Sequence, residues 1–174
     1  MKKGFTIWLT GYSGSGKTTI SEQLYQSLTA REIRCEKLDG DIIRQHLSKG
    51  LSFSREDRCE NILRIGFIAE MLSRHGVGVI VSAISPYREA RNTVRNKIAN
   101  FIEVHVSCPI EECARRDVKG LYQRAMSGEI TNFTGISDPY EAPLDAEITC
   151  DTAHESVDES TDKILRELCR MGII

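Results

Sequence analysis

Gly11-Tyr12-Ser13-Gly14-Ser15-Gly16-Lys17-Thr18 has the spacing G-x-x-x-x-G-K-[ST] and lies between an apolar run, Phe5 to Thr10, and an amphipathic stretch that starts at Lys17. Strand, glycine-rich turn and helix in that order commit the chain to an α/β unit built around an anion. The glycines let successive backbone N–H groups turn inward on a phosphate chain, and the following helix points the positive end of its dipole at it. Lys17 is then placed to reach the β- and γ-phosphates, and Thr18 to ligate Mg²⁺. All eight residues from Gly11 to Thr18 are candidate ATP contacts. A Gly/Ser linker that held Lys-Thr by accident would have no reason for these flanks.

A chain of 174 residues suits one domain with one good core, so residues 1–174 are expected to form a single unit. The net charge of −2 supplies no basic field for nucleic acid or an anionic membrane, so anion binding must be local. Met1-Lys2-Lys3 leads straight toward the first strand without a signal-peptide core, and no apolar run approaches the roughly 20 residues that span a bilayer. The expectation is a soluble, cytoplasmic protein. Six cysteines are scattered without a C-x-x-C pair and apart from the four histidines, which speaks for free, largely buried thiols and against zinc.

Strand and helix patterns alternate along the chain. Phe5–Thr10 reads as a buried strand, and Lys17 to about Ala30 as a helix with Ile20, Leu24 and Leu28 on one face. Cys35–Leu38 is a short strand ending in Asp39-Gly40-Asp41, followed by a short helix from Ile42 to Leu47. Arg55–His75, after the cap residue Ser54, carries apolar residues on most of its circumference, which predicts burial on more than one side. Val77–Ile84 is the most strand-like run, Arg88–Ala99 a charged surface helix, Phe101–Val106 a strand, and Ile110–Asp117 a helix behind Cys108-Pro109. Ala146–Cys150 and Ser156–Met171 supply a last strand and helix. Such alternation is that of a parallel sheet covered on both faces. Val118–Pro143 has no sustained period, and its aromatic and basic content disfavours plain disorder, so it reads as a mobile lid over the strand ends.

Phosphoryl transfer needs charge neutralisation and a group that takes up the acceptor's proton. Asp39 and Asp41 stand at a strand's carboxyl end, where one can accept a hydroxyl proton and the other orient it. The alternative is an ordinary turn with Asp41 as a helix cap.

Leu38-Asp39-Gly40-Asp41, Phe53-Ser54, Asp57-Arg58 with Glu60-Asn61-Ile62, Ile84-Ser85-Pro86-Tyr87, Arg116 to Tyr122, and Phe133-Thr134-Gly135-Ile136 with Pro139-Tyr140-Glu141 occur in order. In these blocks the chain resembles the adenylylsulfate kinase family from about residue 5 to residue 150. The resemblance implies a three-layer P-loop kinase fold with a mostly parallel sheet of about five strands, helices on both faces and a lid loop at about 118–143. It implies Mg²⁺ with ATP as donor, and the ribose 3′-hydroxyl of adenosine 5′-phosphosulfate (APS) as acceptor, in sulfate assimilation. On that pattern Lys17, Asp39, Asp41 and Ser85 are the catalytic candidates, and Arg116 joins the ATP site. Asp41, Arg44, Phe53, Arg58, Asn61, Ile84, Ser85, Lys119, Leu121 and Phe133 become the APS site. Arg44 and Arg58 suit the phosphate–sulfate group, Asn61 is a neutral hydrogen-bonding partner, and Phe53 and Phe133 present faces to the adenine.

In this family a serine in the Ile-Ser-Pro setting is described as a phosphoserine intermediate. No general base is evident near Ser85, so direct transfer with Ser85 lining the acceptor site is the favoured reading. Three positions depart from the family pattern: Ile42 where Asn is common, Ser52 where Gly is usual, and Leu63 where a second arginine often follows. Ser52 is expected to restrict the turn presenting Phe53, and the contact missing at 63 to weaken anion binding or pass to Arg64. A homodimer and a functional link to an ATP sulfurylase are further expectations. Competing readings are another small-metabolite or nucleoside kinase, and a regulatory module that binds nucleotides without turnover. Intact Lys17, Thr18, Asp39 and Asp41 argue against the last.

Overall fold

The computed structural model describes residues 4–174; Met1, Lys2 and Lys3, read above as the approach to the first strand, lie outside them. Five strands, β1 (Phe5–Thr10), β2 (Cys35–Asp39), β3 (Gly78–Ser82), β4 (Phe101–Ser107) and β5 (Ile148–Asp151), alternate with helices. These are α1 (Lys17–Ala30), α2 (Gly40–His46), α3 (Arg55–Arg74), α4 (Arg88–Arg95), α5 (Ile110–Arg116), α6 (Leu121–Met126) and α7 (Val157–Arg170). The strands form one sheet in the order β2-β3-β1-β4-β5, with every neighbouring pair parallel. Register aligns Leu9 and Asp39 with Ser82, and Thr10 with His105, so the strands release their chains at one edge. In open parallel sheets that edge binds the ligand.

Every residue of β1 is buried, because β1 lies between two strands and beneath helices on both faces. The two-residue period sends Ile7 and Leu9 into a core with Ile20, Leu24 and Leu28 of α1 and Ile164 and Leu168 of α7. It sends Trp8 into a second core with Ile62, Ile65 and Ala69 of α3 and Ala90 and Val94 of α4.

Three expectations change. Helix α3 buries one face only: Ile62, Ile65 and Ala69 are covered, while Phe67 and Met71 stand 66% and 39% exposed. Helix α4 ends at Arg95 and is not a plain surface helix, because Arg91 is buried in an ion pair with Glu103 of β4. The segment 118–143 is not simply irregular. It contains α6, whose first N–H groups, those of Tyr122 and Gln123, donate to the Asp117 carboxylate at 3.0 Å each. Tyr122, Ala125 and Phe133 form a third apolar cluster with Cys108 and Cys113. The cysteines are free thiols, and burial pushes Cys113 up to about 12 and Cys150 to about 11, so both stay protonated and inert.

The α3–α4 contact is close enough to make a specific demand. A Cβ on Gly66 would lie 2.4 Å from Val94 Cγ2 and 2.8 Å from its Cγ1, and a β-branched side chain has little room to turn away. Gly→Ala in an open helix gains about 1 kcal/mol. Here overpacking of about 1–3 kcal/mol opposes it, so urea unfolding of Gly66→Ala should show no gain and a net loss of up to about 2 kcal/mol that shrinks in a Val94→Ala background. A stabilised Gly66→Ala would contradict this packing.

Candidate active site

Between β1 and α1 the chain turns through Gly14 and Gly16, at φ +75° and +100°. Left-handed Gly16 precedes α1 without a side-chain cap, leaving the helix's first N–H groups for an anion. The Lys17 ammonium is buried and donates to the carbonyls of Gly11 (2.9 Å) and Tyr12 (2.6 Å). Burial lowers its pKa to about 8; Lys119 adds to the fall, and the Asp41 and Asp39 carboxylates oppose it. Gly11, Tyr12 and Ser15 do not line the cleft. The first two hold Lys17 by their carbonyls, and the Ser15 carbonyl accepts from Thr152 Oγ1 at 2.8 Å.

Asp39 and Asp41 separate into different tasks. Asp39, rather than Asp41, caps α2: its Oδ1 accepts from the N–H of Asp41 (2.9 Å) and Ile42 (3.3 Å). Its Oδ2 accepts from Ser82 Oγ at 3.0 Å and lies 3.5 Å from Thr18 Oγ1. The Asp41 carboxylate is solvent-accessible and pairs with Lys119 across the cleft.

Phosphate loop and Asp pair open on one cleft of about 790 Å³. At its far end Phe53, 52% exposed rather than in the core, lies under the Arg44 and Arg58 guanidiniums at 4.6 and 5.3 Å. Arg44 Nη1 donates to the Ser52 carbonyl at 2.8 Å, and Arg58 Nε to the Phe53 carbonyl at 2.9 Å. Asn61 is buried, lines the cleft and leaves its Oδ1 without a hydrogen bond. Phe133 packs edge-on against Tyr122 at 5.0 Å, and Leu121 lines the cleft beside it. Arg58 Nη2 reaches the Asn132 carbonyl, tying the Phe53 end of the cleft to the 118–143 segment.

Ile84 and Ser85 form a wall of the cleft, but the Ser85 hydroxyl turns inward. It is 1% exposed, donates to the Ala83 carbonyl at 3.2 Å and accepts from the Trp8 indole at 3.0 Å. Ser85 also sits at φ +43°, a conformation that L residues rarely adopt.

No sequence motif marks Thr152, Glu155 and Val157, which line the cleft beside Arg116. Arg116 is fixed there by Glu112 (2.9 Å) and the Thr152 carbonyl (2.7 Å). A strand end followed by a helix start at 151–157 was the available signal, because such junctions lie at the ligand edge.

The family model described as adenylylsulphate kinase matches residues 3–151. The chain belongs to the adenylylsulfate kinase family. A protein of Gloeothece citriformis named adenylyl-sulfate kinase is 57% identical over 99% of this chain and 98% of its own length. A solved Mycobacterium tuberculosis APS kinase in complex with AMPPNP and APS is 39% identical, covers 97% of this chain and 99% of that one, and superposes with a TM-score of 0.93. A hexameric APS kinase from Thiobacillus denitrificans is 33% identical at TM-score 0.75, covering 99% of this chain and 30% of that one.

Two of the three departures from this family's pattern have local partners in the structure. Ser52 is not at positive φ, so no strain arises; its N–H and hydroxyl both bond Asp57 Oδ2, which holds that carboxyl below its ordinary range. Leu63 packs against the α3–α4 core and Arg64 is engaged by Glu60 and the Leu47 carbonyl, so neither lines the cleft. Position 63 thus faces the α3–α4 core in this chain. Ile42 is 57% exposed on the turn after Asp41, where nothing in the structure explains the change.

Lys17 gives the site a pH signature. A triphosphate favours the ammonium and raises its pKa, so binding weakens as pH rises through the pKa of about 8 in the unbound protein. Affinity for ATP, read by calorimetry, should fall about tenfold between roughly pH 7 and pH 9. Lys17→Met should bind weakly and without that fall; an equally steep fall in the variant would assign the titration elsewhere.

Proposed function

We propose that this chain is an adenylyl-sulfate kinase: ATP and APS react to ADP and 3′-phosphoadenosine 5′-phosphosulfate, by transfer of the γ-phosphoryl group to the ribose 3′-hydroxyl. The carrying observation is that one cleft runs from the phosphate loop to Arg44, Phe53, Arg58 and Asn61, with Asp41 along its way. Family membership and the shared name of relatives matched over nearly their whole length support it.

On this reading the loop N–H groups and the start of α1 cradle the ATP phosphates, and Lys17 neutralises charge that spreads over the transferring group. Arg116, held rigid by Glu112 and Thr152, lies at the donor end. Oxygen donors are what Mg²⁺ takes, and a dication that keeps several waters and binds phosphate oxygens needs few from protein. Thr18 Oγ1 with Asp39 behind it fits that requirement; among the described residues no cluster of three or more His, Cys, Asp or Glu offers another metal site. Bound there, Mg²⁺ would neutralise the β- and γ-phosphate oxygens.

Asp41 is the general base: its carboxylate faces the cleft and has no capping duty, whereas Asp39 is committed to α2, Ser82 and Thr18. The 3′-hydroxyl gives Asp41 its proton as the oxygen attacks phosphorus, and Lys119 holds the carboxylate in place. Arg44 and Arg58 take the phosphosulfate, with the adenine against Phe53 and Phe133. Transfer is direct, because the Ser85 hydroxyl already donates to Ala83 and accepts from Trp8 deep in the wall.

The proposal extends to a single domain that works as a cytoplasmic homodimer, supplied with APS by an ATP sulfurylase. Phe67 and Met71, exposed on α3, support the dimer, and the T. denitrificans relative is itself an assembly. Among the described residues no helix is long and apolar enough to cross a membrane.

ADP release should require APS, against a panel of sugars and nucleosides; equal turnover of another acceptor would overturn the assignment. Asp41→Asn should lower kcat by about 10²–10⁴ with the KM for ATP changed less than about threefold. Ser85→Ala should keep kcat within about tenfold of wild type. Its loss of activity, with a kinetically competent phosphoenzyme trapped on Ser85, would contradict direct transfer.

A further inference from the structure

Arg91 lies in a run whose charge predicts a surface helix, yet it is 2% exposed and its guanidinium bonds three separate parts of the molecule. Nε donates to Glu103 Oε1 on β4 at 2.7 Å, Nη1 to the Ser85 carbonyl at 2.6 Å, and Nη2 to the Glu141 carbonyl at 2.6 Å. Glu103 is itself buried and held by Arg95 at 3.1 Å, so the fork stands on a fixed base. One rigid cation thus joins the sheet, the acceptor wall and the far root of the lid.

Each joint matters for the wall. Ser85 combines φ +43° with a following proline, and such a conformation persists only where its surroundings over-determine it. Arg91 takes its carbonyl, Thr10 Oγ1 takes the Ile84 carbonyl at 2.8 Å, and Trp8 takes its hydroxyl. In a planar trans peptide the N–H points opposite to the carbonyl. Drawing the Ile84 carbonyl toward Thr10 therefore turns the Ser85 N–H away from β1. At the lid root, Glu141 N–H donates to the Pro86 carbonyl at 2.8 Å, and the Tyr140 hydroxyl meets Thr10 Oγ1 at 3.1 Å. The wall and the root are bonded to each other as well as to Arg91.

We propose that Arg91 is a positioning residue for the acceptor: seated on Glu103, it holds the Ser85 turn and the Glu141 end of the lid as one unit, against which APS is aligned. This rests on the reading that the Ile84–Ser85 end takes APS. Lysine cannot reproduce a three-way fork, so Arg91→Lys keeps the charge and loses the geometry.

The chain's single tryptophan, Trp8, hydrogen-bonds Ser85 and so reports on the wall directly. Steady-state kinetics and Trp8 fluorescence of Arg91→Lys, with its melting temperature, make the test. The expected result is a KM for APS raised about tenfold or more, a KM for ATP within about twofold, and an altered Trp8 emission in a folded protein. A folded variant with APS kinetics and Trp8 emission unchanged overturns the proposal. So does a rise of both KM values together, which is what general loosening of the scaffold would give. Should Arg91→Lys not fold, Glu103→Gln, which weakens the seat of the Arg91 guanidinium, decides by the same split between the two substrates. Wild-type protein inactive on APS would defeat the functional reading itself; active wild type beside an unaltered variant defeats only this inference.

Discussion

The parallel pairing of β1 with β3 on one side and β4 on the other is the constraint from which the site follows. It puts the end of a fully buried strand at the middle of the sheet edge, where the chain must leave in a turn and enter α1. β3 carries Ser82 to that level, and β2, paired beyond it, brings Asp39 alongside. The phosphate loop, the carboxylate that steadies Thr18 and the Ile84–Ser85 wall are thus neighbours by topology, although they are far apart in sequence. Two apolar cores, one on each face, hold the sheet that enforces this.

Charge completes what topology begins. The protein is slightly acidic overall, yet the cleft gathers Lys17, Arg44, Arg58, Arg116 and Lys119. Most are already pinned: Lys17 by loop carbonyls, Arg116 by Glu112 and Thr152, Arg58 by Phe53 and Asn132. Cations held by fixed partners need less reorganisation when charge moves during transfer, which is the basis of electrostatic preorganisation. The two aspartates show the same economy, one spent on structure and one left facing the cleft.

Local features were legible in the sequence. The phosphate loop is contiguous, and its spacing states its own geometry; the sheet follows from strand–helix alternation. The Asp39-Gly40-Asp41 turn was equally visible, but its division of labour was not, because that depends on Ser82 and Thr18 arriving from other strands. Arg91 was misread for a similar reason: a helix rich in arginine looks solvated until Glu103, on a strand that otherwise alternates as core, is brought beneath it. Helix α6 was hidden by its length, since six residues hold too little periodicity to stand out from a lid. Leu63 and Ser52 looked like losses at the site; packing and a local carboxylate show them directed elsewhere.

In the proposed mechanism one cleft aligns two nucleotides for a single direct phosphoryl transfer, with Ser85 as wall and not as carrier. The stereochemical course at phosphorus tests this most directly, using ATP made chiral at the γ-phosphorus with oxygen isotopes and sulfur. One in-line displacement predicts inversion of configuration in the 3′-phosphorylated product. Retention, the outcome of two displacements through a phosphorylated enzyme, would contradict it.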